Sequence, residues 1–411
     1  MLILHTSDWH LGRTLEGRSR QPEHEKFVDE ICDIVVQEKV DLVLVTGDVF
    51  DSVNPPALAE DLYYDALARL SDQGRRAVVV IAGNHDNPER LCAVRPLADR
   101  NGITLFGYPT DDPGELQAPP GRVARPQAGP GWAEIGVPGV DHSAVILALP
   151  YPSESRLHAP LTDTLDTNEL QKAYSQLVEQ WFLDRSCHYR PDTVRIAASH
   201  LYVAGGLETP DSERDITMGG AYAVSPSALP PSAQYVALGH LHRAQRASAN
   251  GTVARYAGSP LALSFSEEGQ AKSVTLVAVA PAGAATAVRE IPLSAGKPLV
   301  TWRATGGLAQ LEQWESEGRD AHAWVNVEVH VSHPLTPDEV QRVRSRHPGI
   351  VQIRPVLVRP EEPKVENGPP PTIEEQFRRF YADRHGGVPP APELVRLFLE
   401  LVESEEEEKT A

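Results

Sequence analysis

Two kinds of hydrophobic pattern alternate along the first 110 residues. Leu2-Ile-Leu-His5, Asp41-Leu-Val-Leu-Val-Thr46 and Ala77-Val-Val-Val-Ile-Ala82 are apolar without alternation, which predicts strands buried on both faces. Between them, Phe27, Ile31, Ile34 and Val35, and then Leu58, Leu62, Ala66, Leu67 and Leu70, recur at helical spacing. Buried strands joined by helices predict a parallel α/β sheet. Residues 107–143, rich in Pro and Gly, predict a long loop or loose hairpin. Residues 145–150 are expected to resume the sheet, followed by a helix over about 170–182 and two strands at 194–200 and 234–239. Residues 255–258 and 273–279 are expected in a second sheet, and a first domain is expected to span 1–295.

The remainder divides further. Residues 296–360 predict a small α/β unit. In it Val325, Val327, Val329 and Val331 alternate with Asn326, Glu328 and His330 as in a half-buried strand. Thr336-Pro-Asp-Glu339 carries the signature of a capped helix start. Residues 361–371 read as a Pro-rich linker, 372–404 as two helices, and 405–411 as an acidic tail. The first of those helices carries Ile373, Phe377, Phe380 and Tyr381, and the second Leu394, Leu397, Phe398 and Leu401.

Composition narrows the class. Of 411 residues 41% are hydrophobic and 23% charged, as in a soluble globular protein. No apolar run reaches the length of a membrane span, and the first residues lack the pattern of a signal peptide. Cys32, Cys92 and Cys187 are widely spaced and odd in number, which favours a reduced, cytoplasmic protein. The net charge of −19 argues mildly against nucleic acid, although an acidic chain can carry a local basic rim.

Each predicted strand ends in a polar cluster. These are Ser7-Asp8-Trp9-His10, Gly47-Asp48-Val49-Phe50-Asp51, Gly83-Asn84-His85-Asp86, Ser199-His200 and Gly239-His240-Leu241-His242. A single Asp or His after a strand is ordinarily a turn residue or a cap. Turns do not call repeatedly for histidine, however, and ligands of open α/β sheets gather at the carboxyl ends of strands. The nitrogen/oxygen donors without thiolate suit Mn²⁺, Fe or Zn²⁺. Two such ions roughly 3.5–4 Å apart can activate water and stabilise in-line displacement at phosphorus.

Asp-x-His, Gly-Asp-x-x-Asp, Gly-Asn-His-Asp, a lone His and Gly-His-x-His, in that order, resemble the calcineurin-type metallophosphoesterases. The stretches ILHTSDWHLGR, GDVFDSVNPP, ALGHLHRAQ and YAGSPLALSFSEEG resemble the bacterial SbcD nucleases. The resemblance covers about residues 1–280. It implies two sheets flanked by helices, a capping domain, and C-terminal helices that bind a partner. It implies two Mn²⁺, with Mg²⁺, Fe or Zn²⁺ as alternatives. Asp8, His10, Asp48 and His242 would hold one metal, and Asp48, Asn84, His200 and His240 the other. His85 would be the unligated histidine near the scissile phosphate, and a histidine suits proton transfer near neutral pH. Asp86 either orients His85 or braces its loop. Archaeal relatives carry histidine where this chain has Asp51, which either pairs with His85 or caps the next helix.

Arg13, Arg18, Arg20, Arg243 and Arg246 flank these motifs and could meet phosphates. Trp9 and His5 read as packing residues. His142, His158, His188, His322, His330, His333, His347 and His385 lie outside the motifs and read as surface residues. No phosphate-binding loop occurs, so this chain is expected to have no ATP site. The resemblance implies an SbcC-type SMC-like ATPase as partner, docked on Ile373, Phe377, Phe380, Leu394, Leu397 and Phe398. It also implies double- and single-stranded DNA as substrates and a homodimer within a heterotetramer. Helices near 57–70 and 88–100 are the candidate dimer surface. The implied function is ATP-dependent 3′-to-5′ double-strand exonuclease and single-strand or hairpin endonuclease action in DNA repair. The alternative is a phosphatase or small-molecule phosphodiesterase on the same scaffold.

Overall fold

The computed structural model describes residues 1–157, 166–210, 222–247, 251–281, 283, 287–358, 372–384 and 388–408, with side chains of the last helix through residue 402. The expected linker at 361–371 lies outside these residues, as do His158 and His385.

The chain begins with β1 (Leu2–Thr6), the hairpin β2 (Thr14–Leu15) and β3 (Arg18–Ser19), and α1 (Gln21–Gln37). β4 (Leu42–Thr46), α2 (Ala57–Ser71), β5 (Ala77–Ile81), the short helices α3 (Pro88–Cys92) and α4 (Arg95–Asp99), and β6 (Ile103–Phe106) follow. The Pro/Gly-rich stretch forms the hairpin β7 (Ala128–Gly129) and β8 (Trp132–Ile135). Next come β9 (Ala144–Leu149), α5 (Glu154–Leu157), α6 (Thr167–Arg185), β10 (Val194–His200) and β11 (Tyr235–Gly239). β12 (Gln245–Ala247), β13 (Val253–Tyr256), β14 (Ser273–Ala278) and β15 (Ala287–Pro292) complete two large sheets.

Their orders are β15-β14-β1-β4-β5-β6 and β12-β13-β11-β10-β9-β8-β7. This corrects two expectations. Residues 145–150 lie in the second sheet, and 273–279 return to the first, antiparallel to β1. Both are apolar strands, and periodicity alone does not say which sheet takes them.

The unalternating runs have a plain cause. Leu42 and Leu44 enter the core between the sheets, while Val43 and Val45 pack under α1 and α2. Ile146 and Ala148 likewise face the first sheet, and Val145, Leu147 and Leu149 face α6. Successive residues point to opposite faces, so a strand buried on both must be apolar throughout. Leu58 departs from the expected stripe: it is 65% exposed, and Ala59 and Tyr63 take the core side of α2.

Strand β16 (Leu299–Ala304), α7 (Gly307–Ser316), β17 (Trp324–Val331), α8 (Pro337–Arg346) and β18 (Ile350–Leu357) form a three-stranded unit with its own core. Thr336 and Glu339 make the expected capping box. The alternating valines are buried, but so is Asn326, which was expected on the wet face. That face packs toward the β2–β3 hairpin, where Leu15 joins Leu299, Trp324 and Val351 in a small apolar cluster. Glu23 of α1 accepts hydrogen bonds from Trp324 Nε1 and the Lys297 amide, both at 2.8 Å. Residues 1–331 and 335–356 accordingly make one compact unit. His347 is also buried, edge-on to Trp302, and is not the surface residue expected; His322 and His333 are exposed.

A second unit holds 332–334 and 357–411, including α9 (Ile373–Arg384) and α10 (Pro392–Glu408). Phe377 stacks on Phe398 with ring centroids 4.1 Å apart, while Ile373, Phe380, Leu394 and Leu397 are exposed. No helix among the described residues is long and apolar enough to cross a membrane.

Candidate metal centre

Parallel register brings the carboxyl ends of β1, β4 and β5 level, and likewise β9, β10 and β11. The loops beyond β1 and β4 are then zipped together: the Asp8, His10 and Leu11 amides donate to the carbonyls of Gly47, Asp48 and Val49 at 2.9–3.0 Å. His5 ties the two sheets, with Nδ1 2.9 Å from the Tyr235 hydroxyl and Nε2 2.9 Å from Thr46 Oγ1. It is the buried packing residue expected, as is Trp9.

Backbone geometry marks the same residues. Asp8, His10, Asp48 and His240 all have positive φ, a region L-residues seldom occupy outside sites that require it. Gly239 is demanded by crowding: a Cβ there would strike the Thr46 carbonyl, Ser7 Oγ and the His200 ring.

Asp8, His10 and His242 place ligand atoms within 4.8 Å of one another, and so do Asp8, Asp48 and His200. Asp48 Oδ2 lies 3.7 Å from His10 Nε2 and 3.4 Å from His200 Nε2, between the two groups. His240 donates its backbone amide to Asp8 at 3.1 Å and sets its ring 5.5 Å from that of His200. Leu241 points away into the core beside α6.

The donors fit cations. His10 Nδ1 faces the Asp51 carboxylate at 3.3 Å, and His242 Nδ1 faces Glu267 at 3.4 Å. A proton on each Nδ1, on the side of its carboxylate, leaves the two Nε2 lone pairs confronting each other at 3.2 Å. Two acceptors facing each other inside a buried pocket are relieved by a cation between them. His200 donates Nδ1–H to the Thr46 carbonyl at 2.8 Å, which turns its Nε2 toward Asn84 Oδ1 at 2.9 Å and Asp48 Oδ2 at 3.4 Å.

Electrostatics agree with a crowded, dry site. Burial pushes the Asp8 carboxyl up and the His10 and His240 imidazoles down. For Asp48 burial acts upward, but the facing His200 outweighs it and holds the carboxyl well below its ordinary range. His200 is raised in turn, because Asp48 overcomes the effect of its burial.

Several roles read from the sequence change. The Asp51 carboxylate neither pairs with His85 nor caps α2; it binds Arg13 Nη1 at 3.0 Å and faces His10, while its backbone carbonyl accepts His85 Nδ1–H at 2.8 Å. Asp86 braces the loop, accepting from the amides of Gly83, Phe50 and Val49 at 2.8, 3.0 and 3.2 Å. Arg20 is no DNA contact: it is buried, in a bidentate pair with Glu23 at 2.6 and 2.9 Å. Arg18, Arg243 and Arg246 are exposed.

Three residues escaped the sequence reading. Glu267 orients His242 and is itself held by Lys272. Arg156 ties down the His85 loop through the carbonyls of Gly83 and Asp86. His24 is fully buried beside Arg20. Glu267 lies within the YAGSPLALSFSEEG stretch, but no spacing rule links it to a ligand 25 residues upstream.

A family profile described as calcineurin-like phosphoesterase matches residues 1–244, more than half the chain, and the chain belongs to that family of metal-dependent phosphoesterases. Within it the relatives are specific. The chain is 48% identical over 412 residues to the SbcD subunit of the SbcCD nuclease from Bacillus subtilis (strain 168), covering 99% of both chains. It is 38% identical over 314 residues to the protein of the same name from Rhodobacter capsulatus, covering 74% of this chain and 72% of that one. With the Escherichia coli (strain K12) protein it shares 34% over 341 residues, covering 80% and 78%. It is thus of the SbcD type.

Proposed function

We propose that this chain is the nuclease subunit of an SbcCD-type DNA repair complex, hydrolysing DNA phosphodiesters with two divalent cations. The observation that carries the reading is the convergence of Asp8, His10 and His242, and of Asp8, Asp48 and His200, each group with its ligand atoms within 4.8 Å of one another, at the mouths of two sheets. Asp8, His10, Asp48 and His242 would hold one cation, and Asp48, Asn84, His200 and His240 the other. Mn²⁺ suits this oxygen/nitrogen set, with Mg²⁺, Fe or Zn²⁺ as alternatives. Bound there, the cations would activate water and neutralise charge on the phosphate oxygens.

The protein's own groups do the rest. His85 donates Nδ1–H to the Asp51 carbonyl, which leaves Nε2 to carry the proton delivered to the leaving oxygen. The His85 amide donates to Asp48 Oδ1 at 2.8 Å, so the acid and the Asp48 carboxylate are held as one piece. Asp51 and Glu267 fix the rings of His10 and His242. Exonuclease action 3′-to-5′ on duplex ends and endonuclease action on single strands or hairpins, under an ATPase partner in the cytoplasm, complete the reading.

The test is incubation of the full chain and a His85→Ala variant with Mn²⁺ and end-labelled duplex DNA. Wild type should shorten the label and the variant should not. Intact DNA alongside hydrolysis of small phosphodiesters would sink the nuclease reading in favour of a small-molecule phosphodiesterase.

A further inference from the structure

A cavity opens between the β2–β3 hairpin, residues 263–266, and strands β17 and β18. Its volume is about 290 Å³. It lies within the one compact unit that includes both the centre and the three-stranded sheet. Arg13, Phe265, Ser266, Asn326, Gln352 and Arg354 are among its walls.

Asn326 is the informative residue. It is 6% exposed, and its Oδ1 accepts no hydrogen bond from any described residue. Buried side-chain amides are normally paired, and an unpaired one in a native structure points to a missing partner. Nothing in the packing of β17 demands an amide here, since the valines on the opposite face supply the core. Gln352, half-buried on the neighbouring strand, also lacks a partner among the described residues. Arg13 Nε is a buried donor in the same state, although Nη1 is engaged by Asp51. Arg354 is exposed and makes no ion pair with a described residue. The Phe265 ring gives an apolar wall, backed by Leu15, Trp324 and Val351.

We infer that this cleft receives one unpaired nucleotide of the strand being cut. Two side-chain amides offer donors and acceptors together, as the edge of a nucleobase requires and a phosphate does not. The phenyl wall suits a base face, and Arg354 stands where the nucleotide's phosphate would emerge toward solvent. The volume is at the lower end of small-ligand sites, roughly 300–1,000 Å³, too small for a base pair. Arg13 lines the cleft and also holds Asp51, which is 3.3 Å from His10, so one side chain links the cleft to the metal centre. A base engaged in a duplex has its edge occupied, so the cleft selects for unpaired DNA. The inference rests on the nuclease reading only for which strand enters.

Binding, not cleavage, tests it. Anisotropy titrations in EDTA would compare a labelled short single-stranded oligonucleotide with a blunt duplex. The probes would be met by wild type, an Asn326→Leu/Gln352→Leu double variant, and Arg354→Ala, whose exposed side chain places no demand on folding. Single-strand affinity should fall at least about tenfold in the double variant and measurably in Arg354→Ala, with duplex affinity changed less than about twofold. Equal losses on both probes, no loss, or no single-strand binding by wild type would overturn the inference. A wild type that shows this selectivity yet leaves DNA uncut with Mn²⁺ would instead sink the nuclease reading and leave the cleft standing.

Discussion

Glu267 lies outside the ligand set, yet it fixes one of its members. Its carboxylate faces His242 Nδ1, and burial, which alone would raise its pKa, is outweighed by His242 and Lys272. Removing such an outer partner typically costs 10–100-fold in metal affinity. Glu267→Ala is therefore expected to weaken Mn²⁺ binding by about that factor in calorimetric titration, and unchanged affinity would remove Glu267 from the site. His85 makes the opposite case. Its ring is half-buried and bonded through Nδ1 to a backbone carbonyl, not to a ligand side chain. His85→Ala should lower kcat about 10²–10⁴-fold and leave Mn²⁺ affinity as in wild type.

The element that matters most is the loop after β5. Asp86 accepts three backbone amides from two loops, and Arg156 clamps the same turn. Asp86→Ala strands those buried donors and should destabilise the protein by on the order of 3 kcal/mol, read as a lower Tm. An unchanged Tm would return Asp86 to a purely catalytic role. The start of α1 gives a pH-dependent case. Burial acts to raise the Glu23 pKa, but Arg20, the Lys297 amide and the Trp324 indole hold it below the ordinary value. A depressed carboxylate contributes stability above its unfolded pKa of about 4.3, lost as pH falls through the folded value. The Tm gap between wild type and Glu23→Gln should thus be constant near neutrality and close below about pH 4; a gap that widens in acid would refute the assignment.

On the scale of the whole molecule, two compact units divide the work. The first carries the candidate metal residues, the three-stranded sheet and the cleft. The second presents Ile373, Phe380, Leu394 and Leu397 as exposed apolar side chains on two helices held together by Phe377 and Phe398. Such a face suits a helix-in-groove contact. Deleting residues 373–411 should spare Mn²⁺ nuclease activity and abolish co-purification with an SMC-like ATPase; persistent co-purification would count against that docking surface. The acidic whole, −19, still leaves Arg18, Arg243 and Arg246 exposed.

The sequence by itself determined the strands buried on both faces, because such residues must be apolar throughout, and it pointed to the Asp and His residues that come together at the strand ends, because histidine after strand upon strand has no turn chemistry to explain it. It also carried the helix caps, which depend only on residues three apart. Tertiary structure alone decided which sheet each apolar strand joins, since residues 145–150 and 273–279 are equally suited to either. It decided the supporting cast as well. Asp51 turned to His10 and Arg13, Arg20 went inside against Glu23, and Glu267 came to His242 across 25 residues. Those choices depend on which loops the parallel register brings level, a long-range property that local spacing does not encode.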